Sequence, residues 1–515
     1  MTLSVILSRA VCGIRAPQVH VETHLAGGLP SFNMVGLPET TVKEAKDRVR
    51  SALQNCRFDF PQRRITVNLA PADLPKEGGR FDLPIAVGLL HASGQLGQLA
   101  LDDFEFVGEL ALSGEIRGVA GILPHAIAAA HAGKVLVLPK DNEDEVSYVP
   151  NLKYIASDHL LAITAHLKSH PHSFQTNSTQ TTLLSTTTST LDLKEVIGQG
   201  LGKRALTIAA AGGHHLLFVG PPGTGKTMLA ARLPSILPPM NMDEALEAAT
   251  VASIAGLSSG YRFGERPFRA PHHTASAVAL VGGGSRPRPG EISLAHRGIL
   301  FLDELPEFDR RVLEVLREPL ESGHVVISRA AQQETFPANF QLVAAMNPCP
   351  CGYFGTQVKP CRCQPGQVRR YLGKLSGPLL DRIDLHVEIP PLPRGTLTRA
   401  QNASGPSSSE VREQVIQARN RQFARQGCLN AALAGNEFKR HVQLSETCGL
   451  FLENAMTKLK LSTRAFYRIV RVARTIADLE DKPHITTEHL SEALQYRQFD
   501  RLQTRLQEMI GLVAG

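Results

Sequence analysis

Residues 220–227 read GPPGTGKT, a glycine-framed turn between the apolar run His215–Val219 and the helix-forming run Met228–Arg232. Few eight-residue patterns constrain a chain more, because strand, tight turn and helix start must follow in that order for backbone N–H groups to converge on one point. At that point they cradle phosphate oxygens, and the helix dipole adds attraction. The pattern places Lys226 on the β/γ oxygens and the Thr227 hydroxyl on Mg²⁺, with Gly220, Pro221, Pro222, Gly223, Thr224 and Gly225 forming the cradle. ATP with Mg²⁺ is the expected ligand.

A chain of 515 residues is too long for one core and calls for about three domains. No apolar run reaches the length of a membrane span, and the start is interrupted by Arg9 and Arg15 without a cleavage pattern, so a cytoplasmic protein with no membrane partner is expected. The net charge of +7 and pI near 9.0 admit a polyanionic partner without requiring one.

Residues 1–167 alternate β-rich runs (Ser4–Leu7, Ile65–Asn68, Lys134–Leu138) with helical patterns (Thr41–Asn55, Leu83–Ser93, Ile122–Ala132), which predicts a self-contained α/β domain. Residues 168–191 are Ser/Thr-rich and nearly uncharged, the composition of a linker. Residues 192–392 place apolar β-runs between helices, as in a parallel sheet covered on both faces. A connecting loop at 393–409 leads to a helical pattern over 410–515, read as an all-α lid, in which Thr486 and Thr487 precede Glu488 and Glu492 as a helix start.

Hydrolysis of a bound triphosphate needs acids as well as a cradle. The run ILFLDE ends a buried strand in Asp303, suited to Mg²⁺ through water, and Glu304, suited to polarising the attacking water. The next β-run, Phe340–Met346, ends at Asn347, which reads either as a turn residue before Pro348 or as an amide that orients the water. In LLDRIDLHVEIP, Arg382 stands between Asp381 and Asp384; an ion pair and an arginine finger both fit that setting. LSTRAFYRIVR starts a helix at Ser462, with Arg464 in its first turn and Arg468 and Arg471 on or near the same face.

Two stretches suit DNA. Residues 261–297 carry Arg262, Arg266, Arg269, Arg286, Arg288 and Arg297 against only Glu265 and Glu291, interleaved with Phe263 and Phe268, without a regular helix in the pattern. Such a flexible loop grips phosphates without reading bases, or else forms an electrostatic surface between subunits. Residues 325–337 read as a hairpin whose turn holds Arg329, Gln332 and Gln333. Four of the eight cysteines form two C-x-C pairs, Cys349/Cys351 and Cys361/Cys363, within fifteen residues. Four thiolates so arranged close a tetrahedral Zn²⁺ site or remain reduced free thiols.

In this order, with a long insert before the acidic strand, GPPGTGKT, ILFLDE, Asn347, LLDRIDLHVEIP and LSTRAFYRIVR resemble the AAA+ branch that holds magnesium chelatase ATPase subunits and minichromosome maintenance helicases. Along nearly its whole length the chain resembles the ComM/YifB family of magnesium-chelatase-like proteins. The resemblance implies a hexameric ring in which Lys226, Thr227, Asp303, Glu304 and Asn347 act from one subunit and Arg382 reaches in from the next, with Arg464 as a second sensor arginine. It also makes the basic stretch a channel-lining insert and the hairpin a pore element. A DNA helicase promoting branch migration during uptake of transforming DNA, with a recombinase as partner, is the implied function. LPKEGGRFDLPIAVGLL and RGVAGILPHAIAAAHAGKVLVLPKDN resemble the proteolytic domain of Lon, but Arg80 falls near the nucleophile position and Leu123 or His125 where the lysine belongs, which implies a non-proteolytic scaffold. A chelatase-type ATPase remodelling a protein partner is the alternative; the Lon-like domain, normally lacking in chelatase motors, argues against it.

Overall fold

The Gln18–Ala26 strand buries every second residue, Val19, Val21, Thr23 and Leu25, and so has one face for a core and one for other surroundings. In the computed structural model, which describes residues 3–36, 42, 44–170, 172–177, 191–257, 261–284, 287–329, 333–355, 359–393, 395–396, 405–459 and 461–497, this strand belongs to an eight-stranded mixed sheet. From one edge its strands run Gln175–Thr176, Lys153–Ser157, Val135–Pro139, Phe104–Phe106, Leu3–Arg9, Gln18–Ala26, Arg64–Ala70 and Ser31–Val35. The helix Asp82–Ala92 is buried along all but one of its residues and packs on the central strands. Gly88 permits that approach, since a Cβ there would lie 2.7 Å from Thr23 Oγ1. The domain extends farther than its composition indicates: Gln175–Thr176 pairs antiparallel with Lys153–Tyr154 and Asn177 donates to the carbonyls of Val146 and Val149, so part of the expected linker is sheet edge. Residues 178–190 lie outside the described residues.

The second sheet is five-stranded and parallel, in the order Phe268–Arg269, Ile299–Leu302, Gln341–Met346, Leu216–Val219, Leu385–Glu388. Leu216–Val219, Ile299–Leu302 and Gln341–Met346 are buried at every position, which is why they read as unbroken apolar runs. The phosphate-loop strand sits beside the Asn347 strand, and the acidic strand lies on the far side of that one. Parallel pairing therefore brings Gly220, Asn347 and Asp303 to one carboxyl edge of the sheet.

The C-terminal helices Ser408–Gln426, Glu446–Leu459, Thr463–Leu479 and Thr487–Gln495 share one hydrophobic core with the helix Gly200–Gly212 and the sheet. The first of them starts two residues before the expected boundary. Asp192 caps the opening turn of the ATPase unit and also accepts the Ser408 N–H, tying the start of the core to the start of the lid. The helix after Thr486 closes its capping box with His489 rather than with the acids. Residues 498–515 lie outside the described residues.

The basic stretch 261–297 is not the featureless loop expected of it. Its described residues form a sheet-edge strand at Phe268–Arg269, a helix at Ala277–Val281, a small hairpin of Gly282–Gly283 with Arg288–Pro289, and a turn of helix at Glu291–Leu294. Its aromatic residues pack internally. Phe263 stacks on Tyr148 of the N-terminal domain at 4.0 Å, and Phe268 lies against Phe301. Together with Leu246, Ala249 and Tyr261, Phe263 joins a cluster that includes Val107, Ile122 and Leu123, so this stretch fastens the first domain to the second. The carbonyl and hydroxyl of Ser253 accept the N–H groups of Gly121 and Leu123 at the same junction.

Candidate nucleotide site

The loop after Val219 turns through Gly223 and Gly225, both at positive φ (+77° and +88°) with open space where a Cβ would stand, and enters the helix Lys226–Ala230. Lys226 is buried. Its Nζ donates to the carbonyls of Gly220 and Pro221 at 2.8 and 2.9 Å and to Asn347 Oδ1 at 3.1 Å. Burial pushes this ammonium below its usual range, while Asp303 and Glu304 pull it back up. Thr227 Oγ1 donates to Asp303 Oδ2 at 2.7 Å, so the two residues suited to Mg²⁺ already face each other. Thr224 donates to the Pro221 carbonyl, and Gln199 donates to the Thr224 and Pro390 carbonyls. Gln199 thereby links the loop to the strand end beyond Glu388, a role with no sequence motif to announce it.

Glu304 adopts a left-handed backbone (φ +52°), one of six non-glycine residues with positive φ among the described residues. Its N–H donates to Asp303 Oδ1 at 2.9 Å, and its half-exposed carboxylate has His273 Nδ1 at 3.4 Å. His273 reaches there from the basic stretch, its ring tilted against that of His272 and edge-on to Phe308.

Arg382 is enclosed, but not by its sequence neighbours. It donates to the carbonyls of Arg317 and Pro378 and pairs with Glu321, whereas Asp384 pairs with Arg468 and accepts the His215 N–H. The ion pair expected with Asp381 or Asp384 is thus replaced by one with Glu321. The fold gives the three lid arginines different surroundings: Arg468 is held by Asp384 and the Arg382 carbonyl, Arg471 lies over the Phe438 ring, and Arg464 is exposed in the first turn after the Ser462 cap. Arg382 and Arg464 line one cavity of about 360 Å³, together with Glu321, Lys439, Arg468 and Arg471. Glu321 had no sequence signal, because its partner lies sixty-odd residues away in another element.

Of the arginines expected on DNA, Arg266 is spent inside the fold: it donates to the carbonyls of Pro238 and Arg297 and pairs with Glu244. Arg269 forms a two-pronged pair with Glu291. Arg262 is exposed beside Glu265, and Arg288 is exposed; Arg286 lies outside the described residues. The hairpin His324–Ser328 with Gln333–Pro337 forms in the expected place, with Arg329 exposed after it and Gln332 outside the described residues. It stands against the smaller hairpin, since a Cβ on Gly283 would lie 2.9 Å from Arg329 Nη2 and one on Gly282 would lie 2.8 Å from Ile327 Cδ1. Arg288 and Arg329 consequently occupy neighbouring hairpins.

Cys349, Cys351, Cys361 and Cys363 bring their four sulfurs within 4.8 Å of one another. Sγ separations of 3.3 Å for Cys349/Cys351, 3.7 Å for Cys349/Cys361 and 3.6 Å for Cys351/Cys361 are far longer than a disulfide. They approach the edge of a tetrahedral zinc–thiolate site, about 3.8 Å for 2.3 Å bonds. In the N-terminal domain, Arg80, Leu123 and His125 are all buried. No helix among the described residues is long and apolar enough to cross a membrane.

Comparison with known proteins follows this division of the chain. The family model described as magnesium chelatase, subunit ChlI, matches residues 192–397. Its C-terminal counterpart matches 405–497, and a further model described as subunit ChlI of Mg-chelatase matches 21–142. The model over 21–142, inside the N-terminal domain, thus carries the same subunit name as the model over the ATPase core. The chain is similar to competence protein ComM of Haemophilus influenzae, 52% identical over 99% of this chain and all of that one. It is similar also to YifB of Escherichia coli, 51% identical over 99% of this chain and all of the relative. The magnesium-chelatase 67 kDa subunit of Chlorobaculum parvum is 26% identical over 30% of this chain and 23% of that subunit. With the phosphate loop, the acidic strand and Asn347 gathered at one sheet edge and full-length identity above one half, the chain belongs to the ComM/YifB family of magnesium-chelatase-like AAA+ proteins.

Proposed function

We propose that the chain is an ATP hydrolase that drives a DNA motor, a cytoplasmic homo-hexamer that promotes branch migration during recombination of DNA taken up in transformation, with a recombinase as partner. The observation that carries the reading is the meeting of Lys226, Thr227, Asp303, Glu304 and Asn347 at one carboxyl edge of the sheet. In that arrangement the cradle and Lys226 hold the β/γ phosphates, Thr227 and Asp303 flank Mg²⁺, and Glu304 polarises a water that Asn347 orients. Metal supplies charge neutralisation between the phosphate oxygens; Lys226, already stripped of much of its water, adds a second fixed positive charge. Arg382 and Arg464 share a cavity whose lining includes none of Lys226, Thr227, Asp303 and Glu304, which suits arginines that serve the nucleotide of an adjoining subunit.

Arg262, Arg288 and Arg329 are the exposed cations assigned to DNA phosphates, and sequence-independent, salt-sensitive binding follows from contacts of that kind. The name of the Haemophilus relative is the support for a role in competence. The four thiolates are assigned to Zn²⁺ with all positions filled, a structural site. The chelatase descriptions of all three matching models favour a second reading, in which ATP turnover remodels a protein partner. The deciding measurement is ATP turnover with and without single-stranded and four-way-junction DNA, using Lys226→Ala as the inactive control. Stimulation by DNA supports the motor; turnover indifferent to every DNA form supports the remodeller.

A further inference from the structure

The four-cysteine turn is part of the wall of the nucleotide site. Cys349 follows Asn347 by only two residues, and the chain then doubles back so that Gly352 meets the phosphate loop. Gly352 has φ +85°, and a Cβ there would lie 2.5 Å from Pro222 Cδ. On the other side Cys349 Sγ accepts the Phe354 N–H at 3.3 Å. Among the described residues between Met346 and Pro365 there is neither helix nor strand. Buried Pro348, Cys349 and Phe354 are too few side chains to hold such a run in one conformation by packing. The sulfurs are what converge.

We propose that a metal ion held by Cys349, Cys351, Cys361 and Cys363 is a positioning device for hydrolysis, pinning Asn347 on Lys226 and Gly352 under Pro222. The inference rests on the zinc assignment above. A clamp whose only task was to steady a surface loop would have no need of contact with the phosphate cradle; here one face of the turn carries the amide at 3.1 Å from Lys226 Nζ and the other abuts Pro222. Released thiols would let both contacts drift, and displacements of about 1 Å at a reacting centre cost on the order of 10²-fold in rate.

The test uses the purified full chain, with zinc content by atomic absorption, ATP turnover, and binding of a fluorescent ATP analogue. Two variants separate the possibilities. Cys363→Ser is expected to lose zinc and to lower kcat by about 10- to 100-fold, with affinity for the analogue and helical content little changed. Gly352→Ala keeps all four thiols, and is expected to retain zinc while kcat falls, because the added methyl must displace Pro222. This second variant decides the matter even where the serine variant does not fold. Wild-type protein without zinc overturns the metal assignment itself. Zinc loss in Cys363→Ser with unchanged kcat, or full turnover by zinc-loaded Gly352→Ala, leaves that assignment standing and overturns the coupling.

Discussion

The two α/β units both bury cations, and they satisfy them in opposite ways. In the N-terminal domain Arg9 forks onto both oxygens of Glu105 at 2.7 Å, His125 approaches the same carboxylate at 3.2 Å, and Arg48 grips Asp82. Arg80 is the exception in that unit: pushed down to about 10 by burial, it donates to the neutral Ala120 carbonyl. The nucleotide site leaves its buried lysine on two carbonyls and an amide, without a carboxylate in hydrogen-bond contact among the described residues. Closed ion networks hold a shape, whereas a desolvated cation on neutral acceptors is poised for an anion from outside. What sets Lys226 apart from Arg9 and Arg48 is thus an acceptor set without charge, at the end of a phosphate loop.

The most severe way to break this contrast is to remove the open cation. Lys226→Ala is expected to bring phosphate release down to background, by 10³-fold or more on the order of a lost transition-state contact, while the melting temperature stays near that of the parent. Full activity in that variant would falsify the assignment of the site. Arg382→Ala comes next, with turnover lowered by about 10³-fold and binding of the ATP analogue retained. Mixing it with Lys226→Ala should restore part of the lost activity if the two residues act in different subunits, and a mixture no better than its components would place Arg382 in its own subunit's chemistry. In the closed network, Arg9→Met is expected to cost about 3–5 kcal/mol of stability, because Glu105 is left buried without its main partner, yet to leave turnover per folded chain unchanged. A large loss of kcat without loss of stability would show that the first unit takes part in hydrolysis.

The two units were also unequally legible. Strands buried on both faces announce themselves as apolar runs, and the phosphate loop has a spacing that little else shares, so the sheet and the pairing of the loop with Asp303 were expected from the residues alone, while Asn347 stayed open between a turn residue and a water-orienting amide. The helix start at Ser462 was equally plain, its cap accepting the Ala465 N–H as the motif predicts. What escaped were partners distant in sequence. Whether an arginine faces solvent depends on which carboxylate tertiary packing delivers, so Arg266 and Arg382 each found a glutamate that no local pattern indicates. Charge counting cannot separate such staples from open cations. Phe263, interleaved with those arginines, likewise stacks on Tyr148, because the stretch that carries it is also a domain junction.

The mildest prediction concerns acid. His215 is half-buried, its Nδ1 accepting the Leu342 N–H at 3.0 Å; burial pushes it down to about 4, Asp384 resists, and Arg468 and His214 add to the depression. A histidine depressed in the folded state takes up its proton more readily when unfolded, so its contribution is whole above pH 6.5 and drains away as the pH falls towards 4. Burial opposes ionisation of Asp384, but Arg468 and the two histidines outweigh it and hold the carboxyl below its usual range, so its contribution is present above about pH 4 and is lost below that. The two groups share one contact and lose stability in successive windows. Thermal melts followed by circular dichroism should therefore show a fall of about 2–3 kcal/mol between pH 6.5 and 4 that His215→Asn, whose amide oxygen can accept the same N–H, flattens. Asp384→Asn should lower stability at pH 7 and flatten only the portion below pH 4. An unchanged slope in His215→Asn would move the acid step to the enclosed histidines, His125 of the N-terminal domain or His386 beside Asp384, both of which burial also depresses; His125→Asn would then tell whether the closed network or the ATPase unit yields first.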